Sequence, residues 1–364
     1  VEILMKDILA GRVKKVREML RGEGLSGAVF SSKANVTWLT GFRGDDSWAL
    51  LTMRKLYLLT DTRYTEQAGK ETAGCEIYLR PNTMVNTVVD LLAKNKSVKA
   101  AAVESNFPYG NALEIADKSG VRLTPCDKVF EQPRAIKDDH EISCVKKAAS
   151  ISNKALAGAL EALAPGMMET EFTALLEYEM MMLGAHRAFE TIACFGAGGS
   201  EPHHIPGKRK LRKNDCVLVD FGAAWDGYCS DITRSFAVGM ASKKYCDAYE
   251  AVKNAQKAAI DIVAPGVSMA DVDAASRAII KASGFEVYGH GTGHSFGLEI
   301  HEAPYLSAKA KESFEPGQVL TIEPGIYIPG EFGIRIEDDI LVTESGCRIL
   351  TRSAKSPELE IVEL

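Results

Sequence analysis

"CVLVDFGAAWDGYCSDITRSFAV", residues 216–238, reads as two apolar β-like runs around a turn that contains Asp-Gly. A four-residue loop at 224–227 would set Asp220 directly opposite Asp231 on antiparallel strands. Their Cβ atoms would then lie about 4.5–5.5 Å apart on one face. Facing carboxylates repel at that distance. A slipped register, a proton on one acid or a cation between them would relieve it. The choice depends on which other residues share that face.

Two more acids are candidates. In "VLTIEPGIYIPGEFGIRIEDDILVT" (319–343), Glu323 ends one strand-like run and Glu337 lies inside another. Both are embedded among Ile, Leu and Val, so both segments read as interior strands, where an unpartnered carboxylate is costly. Arg335, flanked by Ile334 and Ile336, shares the face of Glu337 and is expected to support a ligand carboxylate. Imidazoles gather nearby. "GHGTGHSFGLEIHE" (289–302) holds His290, His294 and His301, three of the seven histidines in the chain. Its glycines, lacking Cβ, let backbone approach a site closely. Four carboxylates with one imidazole are too anionic for one zinc, which takes four ligands rich in His or Cys. A pair of manganese, cobalt, iron or zinc ions suits them better. Such pairs sit about 3.5–4 Å apart and hold a hydroxide between them.

These elements recur. "LAPGMMETEFTALLE" (163–177) and "VAPGVSMADVDAASR" (263–277) each end one helical pattern and open another. Downstream, "SEPHHIP" lies over "LEIHEAP", pairing His203 with His301, and "VLVDFG" over "LTIEPG", pairing Asp220 with Glu323. Residues 138–364 therefore read as two related halves that supply one site. His204 competes with its neighbour His203, and the repeat favours His203. His140 and His186 join no such grouping. The first half opens on a long helix with Asp138 and Glu141 spaced as a capping box. Ile142, Val145, Ala149, Ser152, Leu156, Ala159 and Leu163 form its apolar stripe.

Residues 1–130 read as a smaller α/β unit, with residues 131–364 as the second domain and the break near "EQPRAIKDD". A basic helix (11–24) leads into the strand "GAVF"; "WALLTM" and "LYLLTD" form a hairpin, and "AAAVESN" holds a further strand. Across all 364 residues, 46% are hydrophobic and 25% charged, enough for a sizeable core. The net charge of -6 argues against nucleic acid as a partner. The one basic run, "GKRKLRKND" (207–215), lacks interleaved aromatics and reads as a solvated turn. Eight scattered cysteines without a Cys-x-x-Cys pair suggest reduced thiols. No apolar stretch has the length of a membrane span. A soluble, cytoplasmic protein is expected.

With these residues in hand, the chain resembles the Xaa-Pro peptidases, aminopeptidase P and prolidase, of the methionine-aminopeptidase-like "pita-bread" metallopeptidases. The motifs that carry the resemblance are "VDFGAAWDGYCSDITRSF", "GHGTGHSFGLEIHE", "TIEPGIY" and "GIRIEDD". It implies an α/β (α+β) fold: a pita-bread catalytic domain with an internal pseudo-two-fold repeat, preceded by a creatinase-type N-terminal domain. It implies two divalent metals, with manganese foremost and cobalt, zinc or iron as alternatives, held by Asp220, Asp231, His294, Glu323 and Glu337. Asp231 and Glu337 would bridge. His203 and His301 would flank the metals, His290 would position substrate, and Glu323 would move the proton to the leaving nitrogen. The implied reaction is hydrolysis of the bond preceding proline in a peptide, by a homodimer to whose site "RGDDSW" (43–48) is a candidate contributor. Tyr305 stands where many prolidases have an arginine, which favours an Xaa-Pro aminopeptidase over an Xaa-Pro dipeptidase. A non-catalytic binding module of the same fold is the rival reading. Ser295, a departure from the commoner glycine, is expected to matter little.

Overall fold

The computed structural model describes residues 2–351 and 361–362, with side chains from residue 5 to 351. The chain divides into two compact units, Val1–Arg134 and Ala135–Leu364. In the first, helix Glu2–Gly22 precedes a six-stranded sheet. Its order is Glu76–Leu79, Leu56–Thr60, Trp48–Thr52, Gly27–Phe30, Ala100–Val103, Arg122–Pro125. The hairpin expected around Arg54-Lys55 is present, with Leu51 opposite Leu56. Val29, Leu50, Leu59 and Ala101 project from the sheet onto Val88, Leu91 and Ile115 of two covering helices.

The second unit is built twice. Helix Asp139–Glu161 starts at the Asp138/Glu141 capping box, whose two reciprocal bonds are both 3.0 Å. The stripe from Val145 to Leu163 is buried, whereas Ile142 at its start is only partly so. Helix Glu169–Met182 follows it, and helices Lys243–Ile262 and Met269–Ala282 repeat the pair. The second helices of the two pairs lie 100 residues apart and both have 14 residues. Each "APG" ends on a left-handed glycine, Gly166 and Gly266. Their N–H groups donate to Leu211 and Phe314 carbonyls, and the bridges Met168–Lys210 and Ser268–Ser313 match as well. Each half then lays down three antiparallel strands in the same order. These are Ile192–Phe195, Cys216–Phe221, Ile232–Val238 in the first, and Gly293–Ser295, Val319–Ile322, Asp338–Val342 in the second. Repeated local chemistry has produced repeated tertiary structure.

The hairpin of residues 216–238 corrects one expectation. Thr233, not Asp231, lies opposite Asp220, and Trp225 pairs with Tyr228 around a two-residue turn. Asp226 and Gly227, with φ of 54° and 87°, supply the two left-handed positions that a type I′ turn requires, so the loop is two residues long instead of four. The shift of two residues preserves the face, because side chains alternate with period two. Asp220 and Asp231 become diagonal neighbours. The strands are close enough that a Cβ on Gly222 would meet the Ser230 carbonyl oxygen at 1.9 Å. Glu337 also differs: it lies between strands Phe332–Arg335 and Asp338–Val342, outside both.

Candidate active site

Each half delivers acids to one place. Asp220 comes from strand Cys216–Phe221, and Asp231 immediately precedes strand Ile232–Val238. Glu323 follows strand Val319–Ile322. Strand Gly293–Ser295 brings His294, and a register irregularity between His294 and Ser295 turns the chain there. A Cβ on Gly293 would meet the Thr321 carbonyl oxygen at 2.0 Å, so only glycine allows this approach.

Asp231, His294 and Glu337 are all buried, and one ligand atom from each lies within 4.8 Å of the others. His294 Nε2 is 3.6 Å from Asp231 Oδ2 and 3.5 Å from Glu323 Oε1. Its Nδ1 lies 3.1 Å from the Ser295 carbonyl oxygen. A proton on Nδ1 would donate there and leave the Nε2 lone pair facing the acids. Thr233 Oγ1 donates to Glu337 Oε2 at 2.6 Å, and Thr321 Oγ1 to Glu323 Oε1 at 3.3 Å.

Electrostatics make this grouping costly for the polypeptide alone. Burial, then the charges of Glu337 and Asp220, push the Asp231 carboxyl well above its ordinary range. Burial, then Glu323 and Asp220, do the same to Glu337. Burial raises Glu323 to about 7 against the pull of Arg335. The imidazoles move oppositely: burial lowers both His290 and His294 to about 4, so both are neutral at pH 7. Neutral imidazole is the state in which histidine ligates metal, and a cation among the acids would offset the repulsion that favours their protonated forms.

Asp220 is split between two surroundings. Arg335 Nη2 donates to its Oδ2 at 2.5 Å, while its buried Oδ1 has no hydrogen-bond partner. Arg335 also donates from Nη1 to the Tyr327 hydroxyl at 2.7 Å and from Nε to Thr233 Oγ1 at 3.0 Å. The expectation that Arg335 supports an acid of the site therefore has a partner in Asp220. An orphaned oxygen close to three acids and an imidazole is a donor set that fits divalent metal.

The remaining histidines divide into two groups. His290 Nε2 is 3.0 Å from the Tyr327 hydroxyl, and its Nδ1 is 4.0 Å from Glu323 Oε2. The His301 ring lies edge-on to His294 with centroids 4.5 Å apart. Burial lowers the His301 pKa, Asp220 raises it, and His203 lowers it further; His203 acts on His290 in the same sense. His203, His290 and His301 are thus electrostatic neighbours. His204 is engaged elsewhere, 3.0 Å from Glu169 Oε2 and 3.2 Å from Glu201 Oε2, whereas His203 is exposed.

Several supports were missed in the sequence. Asp339, buried beside Glu337, accepts the Asp231 N–H at 3.1 Å, and Tyr327 joins His290 to Arg335. Both sit inside stretches already singled out, "GIRIEDD" and "TIEPGIY". Ser295 does more than expected: its hydroxyl donates to the Val319 carbonyl and accepts from buried Lys137, each within 3.0 Å. Lys137 also reaches Glu302 at 3.3 Å.

Residues 143–344 match the model of metallopeptidase family M24, and residues 12–136 match the creatinase/prolidase N-terminal domain. The chain belongs to metallopeptidase family M24. It is therefore a hydrolase of the metallo-exopeptidase kind, which sets aside the binding-module reading. This M24 peptidase is 33% identical to the Xaa-Pro dipeptidase of Pyrococcus horikoshii, across 96% of this chain and 99% of that one. Its structure is similar to that of an Xaa-Pro dipeptidase from Bacillus anthracis, with a TM-score of 0.93, 34% identity and coverage of 97% and 100%. An X-Pro aminopeptidase from Thermotoga maritima aligns with a TM-score of 0.88, 31% identity and coverage of 96% and 99%. The pita-bread fold and the creatinase-type N-terminal domain expected for this M24 peptidase agree with these neighbours. M24 membership implies divalent metal ions. Among the described residues no helix is long and apolar enough to cross a membrane.

Proposed function

We propose that the chain is an Xaa-Pro dipeptidase, hydrolysing the bond between an N-terminal residue and a C-terminal proline. The carrying observation is the buried group of Asp231, His294 and Glu337 with the orphaned Asp220 Oδ1, in a chain alignable almost end to end with Xaa-Pro dipeptidases. This reverses the preference drawn from Tyr305. That residue is 53% exposed on strand Glu302–Leu306, and losing one cationic anchor there does not prevent another from holding the substrate carboxylate. The Xaa-Pro aminopeptidase reading keeps the support of Tyr305 and of the Thermotoga maritima neighbour.

Asp220, Asp231, His294, Glu323 and Glu337 would hold two divalent cations, manganese foremost. Such ions polarise the scissile carbonyl and lower the pKa of water at neutral pH. The chain's own residues supply the rest. Glu323 accepts a proton at its carboxylate and returns it to the leaving proline nitrogen. His203 and His301 donate hydrogen bonds to the carbonyl oxygen as it gains charge. His290, fixed by Tyr327, positions the substrate. Arg335 holds Asp220 in place through its hydrogen bond to Oδ2. The proposal extends to a cytoplasmic homodimer. The absence of a disulfide at all eight cysteines supports the compartment, and mass measurement in solution tests the dimer.

The deciding assay compares an Xaa-Pro dipeptide with the matching Xaa-Pro-Yaa tripeptide after manganese or cobalt loading. Cleavage of the dipeptide alone is expected. Release of the first residue from the tripeptide would establish the aminopeptidase reading in its place. Failure on both would overturn the Xaa-Pro assignment.

A further inference from the structure

A second group of metal-ligating side chains lies apart from the carboxylate cluster. His140 and Cys144 are four residues apart on helix Asp139–Glu161, so they share one face. Facing them is Asp226, held at the tip of the hairpin by its left-handed φ of 54°. Cys144 Sγ is 3.7 Å from His140 Nε2 and 4.0 Å from Asp226 Oδ2, and His140 Nε2 is 4.0 Å from Asp226 Oδ2.

These three edges nearly describe the face of a metal tetrahedron. Zinc bonds of about 2.0–2.3 Å at tetrahedral angles separate ligand atoms by about 3.3–3.6 Å. Closing the triangle needs shifts of a few tenths of an ångström at each edge. His140 and Asp226 can make those shifts, because their side chains are 29% and 35% exposed. Cys144 is buried and anchors the base. The exposed side leaves a fourth position for water. As bare contacts, 3.7–4.0 Å is the outer limit for a sulfur hydrogen bond, so the protein atoms alone gain little from converging. The donors also differ in kind from those of the M24 site. A thiolate and an imidazole with one carboxylate select a borderline-soft cation, whereas the main cluster contains no sulfur.

We propose that His140, Cys144 and Asp226 form a third cation site, specific for zinc and completed by water. Binding takes the proton from the Cys144 thiol and releases it to solvent as the sulfur–zinc bond forms. The bound ion would tie the Asp226 turn, which connects Asp220 to Asp231, to the first turns of helix Asp139–Glu161.

Cobalt(II) tests this on the full-length, reduced, chelator-stripped protein, because only a thiolate ligand gives a sulfur-to-cobalt charge-transfer band. The expected result is one equivalent of that band, abolished by zinc and absent in Cys144→Ser. Because Cys144 is buried, two variants with exposed side chains provide the independent arm. His140→Gln and Asp226→Asn, the latter retaining a residue type that tolerates the left-handed turn, should each weaken cobalt binding at this site by roughly tenfold or more. No band at saturating cobalt overturns the proposal. So does a band unchanged in His140→Gln and Asp226→Asn, which would trace it to another cysteine. The readout is separate from peptidase activity, so it stands whether or not the Xaa-Pro reading holds.

Discussion

Arg335 and Asp220, 115 positions apart in the chain, meet through a 2.5 Å contact that engages one carboxylate oxygen and leaves the other buried without a partner. The guanidinium fixes the acid without saturating it. Arg335→Met removes a buried positive charge that opposes Asp220, Glu323 and Glu337. It should cost about 3–5 kcal/mol of stability, as expected when one member of a buried pair is lost. Manganese affinity should fall roughly 10–100-fold. Calorimetric titration of the chelated variant with manganese, beside its thermal unfolding, measures both. Unchanged affinity would mean that Arg335 does not act through Asp220.

Glu337→Gln should affect the metal-free and metal-loaded proteins in opposite directions. Without metal, the neutral amide relieves the repulsion from Glu323 and Asp220, and stability should rise by on the order of 1 kcal/mol. With manganese, a proposed metal ligand is lost, so stabilisation by the metal and peptidase activity should both collapse. Unfolding scans with and without chelator reveal the crossing. Parallel losses in both conditions would count against Glu337 as a ligand.

His204 provides a pH dependence outside the proposed ligand set. Burial alone would lower its pKa, but the bonds to Glu169 and Glu201 outweigh that and raise it. A histidine whose folded pKa exceeds its unfolded value of about 6.5 stabilises most below that pH. The contribution is then lost as pH rises through the folded pKa. His204→Gln should therefore cost about 1–3 kcal/mol in acid and progressively less above neutrality. Urea unfolding at a series of pH values measures the difference, and a pH-independent gap would disprove the linkage.

Lys137 ties Glu302 to Ser295, the residue after His294, with both charges buried. Lys137→Ala should destabilise by about 3–5 kcal/mol, because the buried Glu302 carboxylate loses the positive charge beside it. A Lys137→Met, Glu302→Leu double variant should recover most of that loss. If the double variant is as unstable as the single one, the pair contributes more than mutual neutralisation.

Gly293→Ala places a methyl 2.0 Å from the Thr321 carbonyl oxygen, which is backbone and cannot swing aside. A loss of about 3 kcal/mol is expected, together with displacement of His294 and a matching fall in metal affinity. Retained stability and affinity would show that the strand can shift at low cost.

Period and punctuation made much of this fold legible. The two "APG" turns, the capping box at Asp138 and the apolar stripe to Leu163 are local signals, and local structure follows them. Glu323 and Glu337 stood out as acids among aliphatic residues, Asp220 and Asp231 as acids on either side of one turn, and His294 as part of a glycine-punctuated run of histidines. Register was harder to read. Asp226 and Gly227 alone form the turn, but "AAWDG" offers several loop lengths, and only the positive φ at both residues selects two. Partnerships between distant segments left no local trace either. Nothing near Arg335 names Asp220, and nothing near Asp226 names His140. The first contact forms only when the two halves meet, and the second only when the hairpin of the first half packs on its opening helix.

The doubling of the catalytic unit has a mechanical consequence. Asp220 and Asp231 belong to one half, whereas His294, Glu323 and Glu337 belong to the other, so the seam of an ancient symmetry runs through the proposed ligand set. Cations seated there would act as a clasp between two similar scaffolds. Any sliding of one scaffold on the other would be felt first at the reacting centre, and occupancy of that centre would in turn set how tightly the scaffolds hold together.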